Sequence, residues 1–192
     1  PQAEWDAAGA VFMPAAHGGG GRWQRQPGQP QRWELADQGL RFYVELAESL
    51  QVGVFPENAA QWHWLTSQIE RAGRPLRVLN LFGYTGLASL AAAQHGAAVT
   101  HVDAAKRAVR LGRENQALSG LAAAPIRWVV EDALKYMERE QRRGSRYDGL
   151  ILDPPAFGRG PGGERWQFHE DFPRLCSLAR ALLSAQPAFV VL

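Results

Sequence analysis

Beyond Pro75 the apolar residues of this chain fall into short continuous runs, each followed by a longer stretch in which they recur every third or fourth position. The runs predict buried strands and the longer stretches predict amphipathic helices. The succession is strand 77–82, helix 86–94, strand 98–103, helix 104–118, strand 126–130, helix 133–143, strand 149–152, a loop, helix 168–183 and a last strand 189–192. Strict alternation predicts an α/β fold, a doubly wound parallel sheet with helices on both faces. Right-handed crossovers leave few arrangements, and the strand order 3-2-1-4-5 is the expected one. Its switch point lies between the first and fourth strands, and ligands bind there, at the carboxyl ends of the strands.

Upstream the pattern changes. Short alternating segments, Trp33-Glu34-Leu35 and then Leu40 to Leu46, flank Asp37-Gln38-Gly39 and predict a small antiparallel hairpin. A helix is expected over 57–72, with Trp62, Leu65 and Ile69 on one side and Gly73-Arg74-Pro75 as its stop. The residues up to Gln31 are rich in Gly, Pro and Gln and predict a loop or flexible arm. Within it, His17-Gly18-Gly19-Gly20-Gly21 has neither the preceding strand nor the following Lys-Ser/Thr of a phosphate loop, and reads as a linker. The expected organisation is an arm over 1–31, a β extension over 32–56 and a core over 57–192. With Pro1 in place of an initiator Met and an end in mid-strand at Leu192, the chain reads as a C-terminally truncated fragment whose last strands are missing, open to a lost N-terminal signal.

Composition narrows the class. In 192 residues, 46% hydrophobic and 21% charged, a folded globular protein is the default. No apolar run reaches membrane-spanning length, so no membrane partner and a cytoplasmic location are expected. The positive charge is almost all arginine, Lys106 and Lys135 being the only lysines, and a net charge of +2 permits a nucleic-acid partner without demanding one. The single Cys176 excludes an internal disulfide and offers no metal-ligand spacing, so no metal is expected. Its apolar helical surroundings predict a buried small hydrophobe.

Four loops at the expected carboxyl edge carry the chemistry. In the first, Asn80-Leu81-Phe82-Gly83-Tyr84-Thr85-Gly86, a strand runs through a turn with two glycines into a helix whose first N–H groups are free for a ligand. It has Gly-x-x-Gly rather than Gly-x-Gly-x-x-Gly, which suits an amino-acid carboxylate better than a pyrophosphate. Asp103, at the tip of the second strand, is placed to grip ribose hydroxyls, or to cap the next helix. Asp132 is placed to accept from an adenine amine, with Ala133 leaving room for the ring, or to act as another cap. The fourth loop is Asp153-Pro154-Pro155-Ala156-Phe157. Its prolines stiffen the backbone, so that Asp153 and nearby carbonyls are presented as acceptors to an amine nucleophile, and Phe157 offers a face for a planar base. Arg139, Arg142, Arg143, Arg146, Arg159 and Arg165 are candidates to meet phosphates, against solvated helix ends and loops.

Taken in order, Leu79 to Gly86, Val102-Asp103, Glu131-Asp132-Ala133 and Asp153 to Phe157 resemble the class I S-adenosylmethionine-dependent methyltransferases. More narrowly, they are similar to the large-subunit (23S) ribosomal RNA group that modifies cytosine C5 or guanine N7. The resemblance covers the chain from about Gly39 onward. It implies a Rossmann-like core that binds S-adenosylmethionine and methylates a base in RNA. Phe82 to Gly86 would surround the methionine part, Asp103 would bind the ribose and Asp132 the adenine, with Asn80, Leu81, Ala104 and Ala133 also among the cofactor-binding residues. Asp153, Pro154, Pro155 and Phe157 would line the transfer site, with Phe55 and Asn58 closing over the cofactor. The chain departs from those relatives at Pro56-Glu57-Asn58, where an Asp-Gln-Arg-like triplet is usual, and at Ala156, where Lys is common. Alternatives are a small-molecule or protein methyltransferase, a non-catalytic RNA-binding module and, more distantly, a nicotinamide-dependent oxidoreductase.

Overall fold

The computed structural model describes residues 7–16, 20–47 and 50–192. Its contacts divide the chain into two units, with the boundary between Val54 and Phe55.

The first unit consists of two hairpins. Strands β1 (Ala10–Pro14) and β2 (Gly21–Arg25) pair antiparallel, as do β3 (Arg32–Asp37) and β4 (Leu40–Glu45). The second hairpin lies where alternation predicted one. Gln38 (φ 44°) and Gly39 (φ 83°) are both left-handed, as a two-residue turn matched to strand twist requires. Leu40, Phe42 and Val44 are buried and alternate with polar positions. The first hairpin occupies the segment expected to be an unstructured arm. Its strands are held by a cross-strand pair, Phe12 and Trp23, with ring centroids 5.3 Å apart, and Gly21 leaves room for the Phe12 ring. Composition misses such a pair because two aromatics suffice to join strands within a segment otherwise rich in Gly, Pro and Gln. Residues 17–19, part of the segment read as a linker, lie outside the described residues, and Gly21 at its end begins β2.

The second unit opens with a single 3₁₀ turn, Pro56–Asn58, and helix α1 (Ala59–Ala72), which ends at left-handed Gly73 (φ 60°). Then come β5 (Arg77–Leu81), α2 (Leu87–Gln94), β6 (Ala98–Asp103), α3 (Lys106–Leu118), β7 (Ile126–Val130), α4 (Ala133–Arg142) and β8 (Gly149–Leu152). A short hairpin of β9 (Phe157–Arg159) and β10 (Arg165–Gln167) precedes α5 (Phe168–Leu182) and β11 (Phe189–Val191). The five core strands are parallel in the order β11-β8-β5-β6-β7, which is the expected 3-2-1-4-5. β8 is buried at every position and β5 at all but its first, as a sheet covered on both faces demands. Side-chain alternation sends Leu79 and Leu81 into a core shared with Tyr136 and Met137 of α4 and Leu175, Leu178 and Leu182 of α5. Asn80 points the other way, toward Ser89 of α2. The β9–β10 hairpin replaces part of the expected loop after β8. Cys176 is exposed rather than buried, because Leu175, Leu178, Ala179 and Leu182 form the inward stripe of α5 and position 176 falls off it. Among the described residues no helix is long and apolar enough to cross a membrane, and no cluster of side chains has metal-binding composition.

Candidate functional site

The parallel strands bring the four loops and the 55–58 segment to one edge, where each is tied to the next. Gly83 N–H donates to the Val102 carbonyl at 3.2 Å, and Glu131 N–H to the Asp103 carbonyl at 3.1 Å. Phe55 packs on Tyr84 with ring centroids 5.3 Å apart, and Asn58 Nδ2 donates to Asp153 Oδ2 at 3.2 Å.

The first loop is shaped from below. Gly86 has φ 84°, but at the other strained positions the left-handed residues are Phe82 (φ 56°) and Tyr84 (φ 49°), not Gly83. Gly83 is needed for proximity instead, since a Cβ there would lie 2.5 Å from His101 Cε1. Two left-handed non-glycine residues cost about 1–2 kcal/mol each. The turn is held by the Gly86 N–H bond to the Gly83 carbonyl (3.0 Å) and by Asn115 Nδ2 donating to the Thr85 carbonyl (3.3 Å). Strain held in place by its surroundings is a mark of functional loops.

Beneath it, Asn80 Nδ2 donates to Ser89 Oγ (2.9 Å), which lies 3.0 Å from His101 Nδ1. His101 is fully buried, and that burial drives its pKa down to about 3 against a smaller upward pull from the Tyr84 backbone. The imidazole is therefore neutral. Trp128 of β7 fills the adjoining space: a Cβ on Gly86 or on Gly112 of α3 would lie 2.5 Å from its ring. Its Nε1 donates to Gln116 Oε1 at 2.8 Å. Ser89, His101, Asn115 and Trp128 were not singled out from sequence. The one signal available was Gly112, a glycine inside a helix, which calls for a packing reason. Conversely, Asn80, Leu81 and Thr85 have buried side chains and present only backbone to the edge.

Asp103 is half-buried at the tip of β6. Oδ2 accepts from Tyr84 N–H and Oδ1 from Ala105 N–H, each at 2.8 Å. Burial pushes its pKa up, and the Ala105 and Tyr84 backbone bonds pull it back. Helix α3 begins at Lys106 with Ala105 as its cap residue, so Asp103 is not the N-cap. Each of its oxygens keeps a further acceptor site for a hydroxyl. Asp132 is an N-cap: its Oδ1 accepts from Lys135 N–H at 3.0 Å. Behind Ala133, which is buried, Glu131 makes a two-point ion pair with Arg139.

The Asp-Pro-Pro turn is anchored from the hairpin. Trp166, 3% exposed, donates Nε1 to the Pro155 carbonyl (2.7 Å) and packs on Phe82 with centroids 4.9 Å apart. Phe168 N–H takes the Ala156 carbonyl at 3.0 Å. Of the carbonyls near Asp153, those of Pro155 and Ala156 are thus engaged within the chain, while the Asp153 residue itself is exposed. Phe157 is 79% exposed.

The assembled edge has a definite charge. The predicted site residues include three aspartates, Asp103, Asp132 and Asp153, and no lysine or arginine, with Lys135 one turn beyond Asp132 and within reach of its charge. A pyrophosphate would be repelled there, whereas a ligand with a positive centre, hydroxyls and an amine would be held.

A family model described as S-adenosylmethionine-dependent methyltransferase matches residues 21–185. The chain is 30% identical over 172 residues to "Ribosomal RNA large subunit methyltransferase K/L" of Pseudoalteromonas translucida, covering 84% of this chain and 23% of that protein. It is 34% identical over 140 residues to the protein of the same name in Syntrophotalea carbinolica, covering 72% and 19%. Among solved structures, the SAM-dependent methyltransferase from Agrobacterium tumefaciens superimposes with a TM-score of 0.91 at 48% identity, over 97% of this chain and 59% of that one. A second methyltransferase structure, solved with SAH, gives a TM-score of 0.73 at 31% identity, over 84% and 42%. The chain thus spans only about a fifth to a quarter of the length of these curated relatives.

Proposed function

This chain belongs to the S-adenosylmethionine-dependent methyltransferase family, and on that premise we propose that it binds S-adenosylmethionine along the carboxyl edge of its sheet and methylates a base in ribosomal RNA. The observation that carries the cofactor is the donor set, three aspartates at strand ends around a strained loop at the start of α2. The backbone of Phe82 to Gly86 would hold the amino-acid end, Asp103 the ribose and Asp132 the adenine amine. Phe55 and Asn58 would close the site, and residues 57–192 form the cofactor-binding core. The relative solved with SAH supports the choice of cofactor. The relatives named as ribosomal RNA methyltransferases support the acceptor, which would place the protein's action in the cytoplasm.

When bound, the cofactor supplies a methyl group on a sulfonium, already activated for transfer. The chain's part is then proximity and orientation. The Asp153 carboxylate, held by Asn58, accepts a hydrogen bond from the acceptor's N–H and takes up its proton as the nitrogen is alkylated. Phe157 stacks on the base, which leaves its helix to reach this edge.

The test is calorimetric titration of S-adenosylmethionine into the full-length protein and into Asp103→Ala. We expect saturable binding that weakens at least roughly ten-fold in the variant, equivalent to ~1.4 kcal/mol. No binding by the folded wild type would sink the proposal.

A further inference from the structure

Six arginines were candidates for phosphate contact, and the structure sorts them. Arg139 is engaged by Glu131 and Arg143 by Glu140. Arg159 and Arg165 are different, because they sit directly opposite each other on β9 and β10. Residues in register on paired strands share a face, so Phe157, Arg159, Arg165 and Gln167 line one side of the hairpin and Gly158 and Trp166 the other. Exposure follows that division: Phe157, Arg159 and Arg165 are exposed, whereas Trp166 is buried. The inner side is fixed to the site through the Trp166 bond to Pro155 and its packing on Phe82. The turn is fixed by the Lys135–Glu164 ion pair.

Like charges directly opposite on neighbouring strands destabilise the pair. Among the described residues the relief is a loose pairing of Arg165 with Glu170, at 3.4 and 3.3 Å to its two oxygens, with both side chains about two-thirds exposed. A bound anion spanning both guanidiniums would remove the repulsion. An exposed aromatic on the same face adds a stacking surface, and cationic side chains beside an aromatic form the usual grip on unpaired nucleic acid. A duplex offers no free base face, which favours a single-stranded or splayed segment.

We infer that the outer face of this hairpin holds the acceptor strand, with Arg159 and Arg165 on the phosphates of an unpaired RNA segment whose base stacks on Phe157. This rests on the RNA reading above and adds the element that delivers the strand to Asp153.

The test uses a fluorescein-labelled oligouridylate and the full-length protein, with Arg159→Gln and Arg165→Gln combined and Arg142→Gln with Arg146→Gln as the control. In the hairpin variant we expect RNA affinity to fall roughly ten-fold and the slope of log K against log salt to drop by about 1.4, at ~0.7 per phosphate on a single strand. Titrated S-adenosylmethionine should bind as in the wild type, and stability to urea should be equal or higher because the cross-strand repulsion is gone. RNA binding and salt slope unchanged in the hairpin variant, or lowered as much in the control, would overturn the inference and leave the methyltransferase reading intact. A wild type that binds S-adenosylmethionine but no RNA would remove the RNA acceptor and this inference together.

Discussion

Gly83 shows how much one position can decide. Its neighbours take the strained dihedrals while it stays bare, because His101 lies where its side chain would go. We expect Gly83→Ala to cost about 1–3 kcal/mol in urea unfolding by overpacking. By lifting the loop from the Val102 carbonyl, it should also weaken S-adenosylmethionine binding about ten-fold, or ~1.4 kcal/mol, by calorimetry. The histidine beneath makes a prediction of its own. Its folded pKa of about 3 lies below the unfolded value of 6.5, so the unfolded chain binds the extra proton first. Its contribution is fully present above pH 6.5 and is lost as the pH falls toward 3. Asp148 acts in the same direction at lower pH: burial works to raise its pKa, but bonds from Arg77 N–H, Arg74 and Ser184 hold it below the usual carboxylate range. Asp103, shifted up by burial, opposes both in the carboxylate range, since its contribution is lost as pH rises through its folded value. Between about pH 7 and about pH 5, where His101 dominates, stability should drop by roughly 2 kcal/mol. In His101→Asn the urea midpoint should be nearly flat over that interval, and an unchanged slope would reassign the acid sensitivity elsewhere.

At the level of elements, α4 does two things through one residue. Asp132 caps it by accepting from Lys135 N–H, and the same carboxylate is the candidate adenine contact. Serine caps nearly as well as aspartate but cannot carry charge, so Asp132→Ser separates the roles. Stability should change by less than about 0.5 kcal/mol. Cofactor affinity should fall about ten-fold, ~1.4 kcal/mol; unchanged affinity in this variant would reduce Asp132 to a cap. The βα alternation was legible because each strand and helix carries its own period, with ends falling within two residues of expectation even where Asp103 shifts the start of α3 to Lys106. The β1–β2 and β9–β10 hairpins were not. Neither has a periodic pattern, and each is held by partners remote in sequence, Phe12 with Trp23 in one and Trp166 with Pro155 and Phe82 in the other.

For the whole molecule, ligand binding and folding are linked. A cofactor held only by the native arrangement of five separate segments stabilises that arrangement by mass action, about 2.7 kcal/mol at a hundred-fold excess over Kd. Urea unfolding with and without S-adenosylmethionine should show that gain in the wild type and lose most of it in Asp103→Ala. What the sequence by itself determined was the strand order, the edge at which to look and the aspartates at strand tips. Those follow from local periodicity and from the handedness of crossovers, which need no knowledge of contacts. Tertiary structure alone decided which of those residues face outward. It turned Asn80, Leu81 and Thr85 inward, occupied the Pro155 and Ala156 carbonyls, and placed His101 and Trp128 under the loop. It also set Arg159 against Arg165. Such facts depend on the packing of residues far apart in the chain, where a close approach of a few tenths of an ångström chooses between a glycine and any other residue.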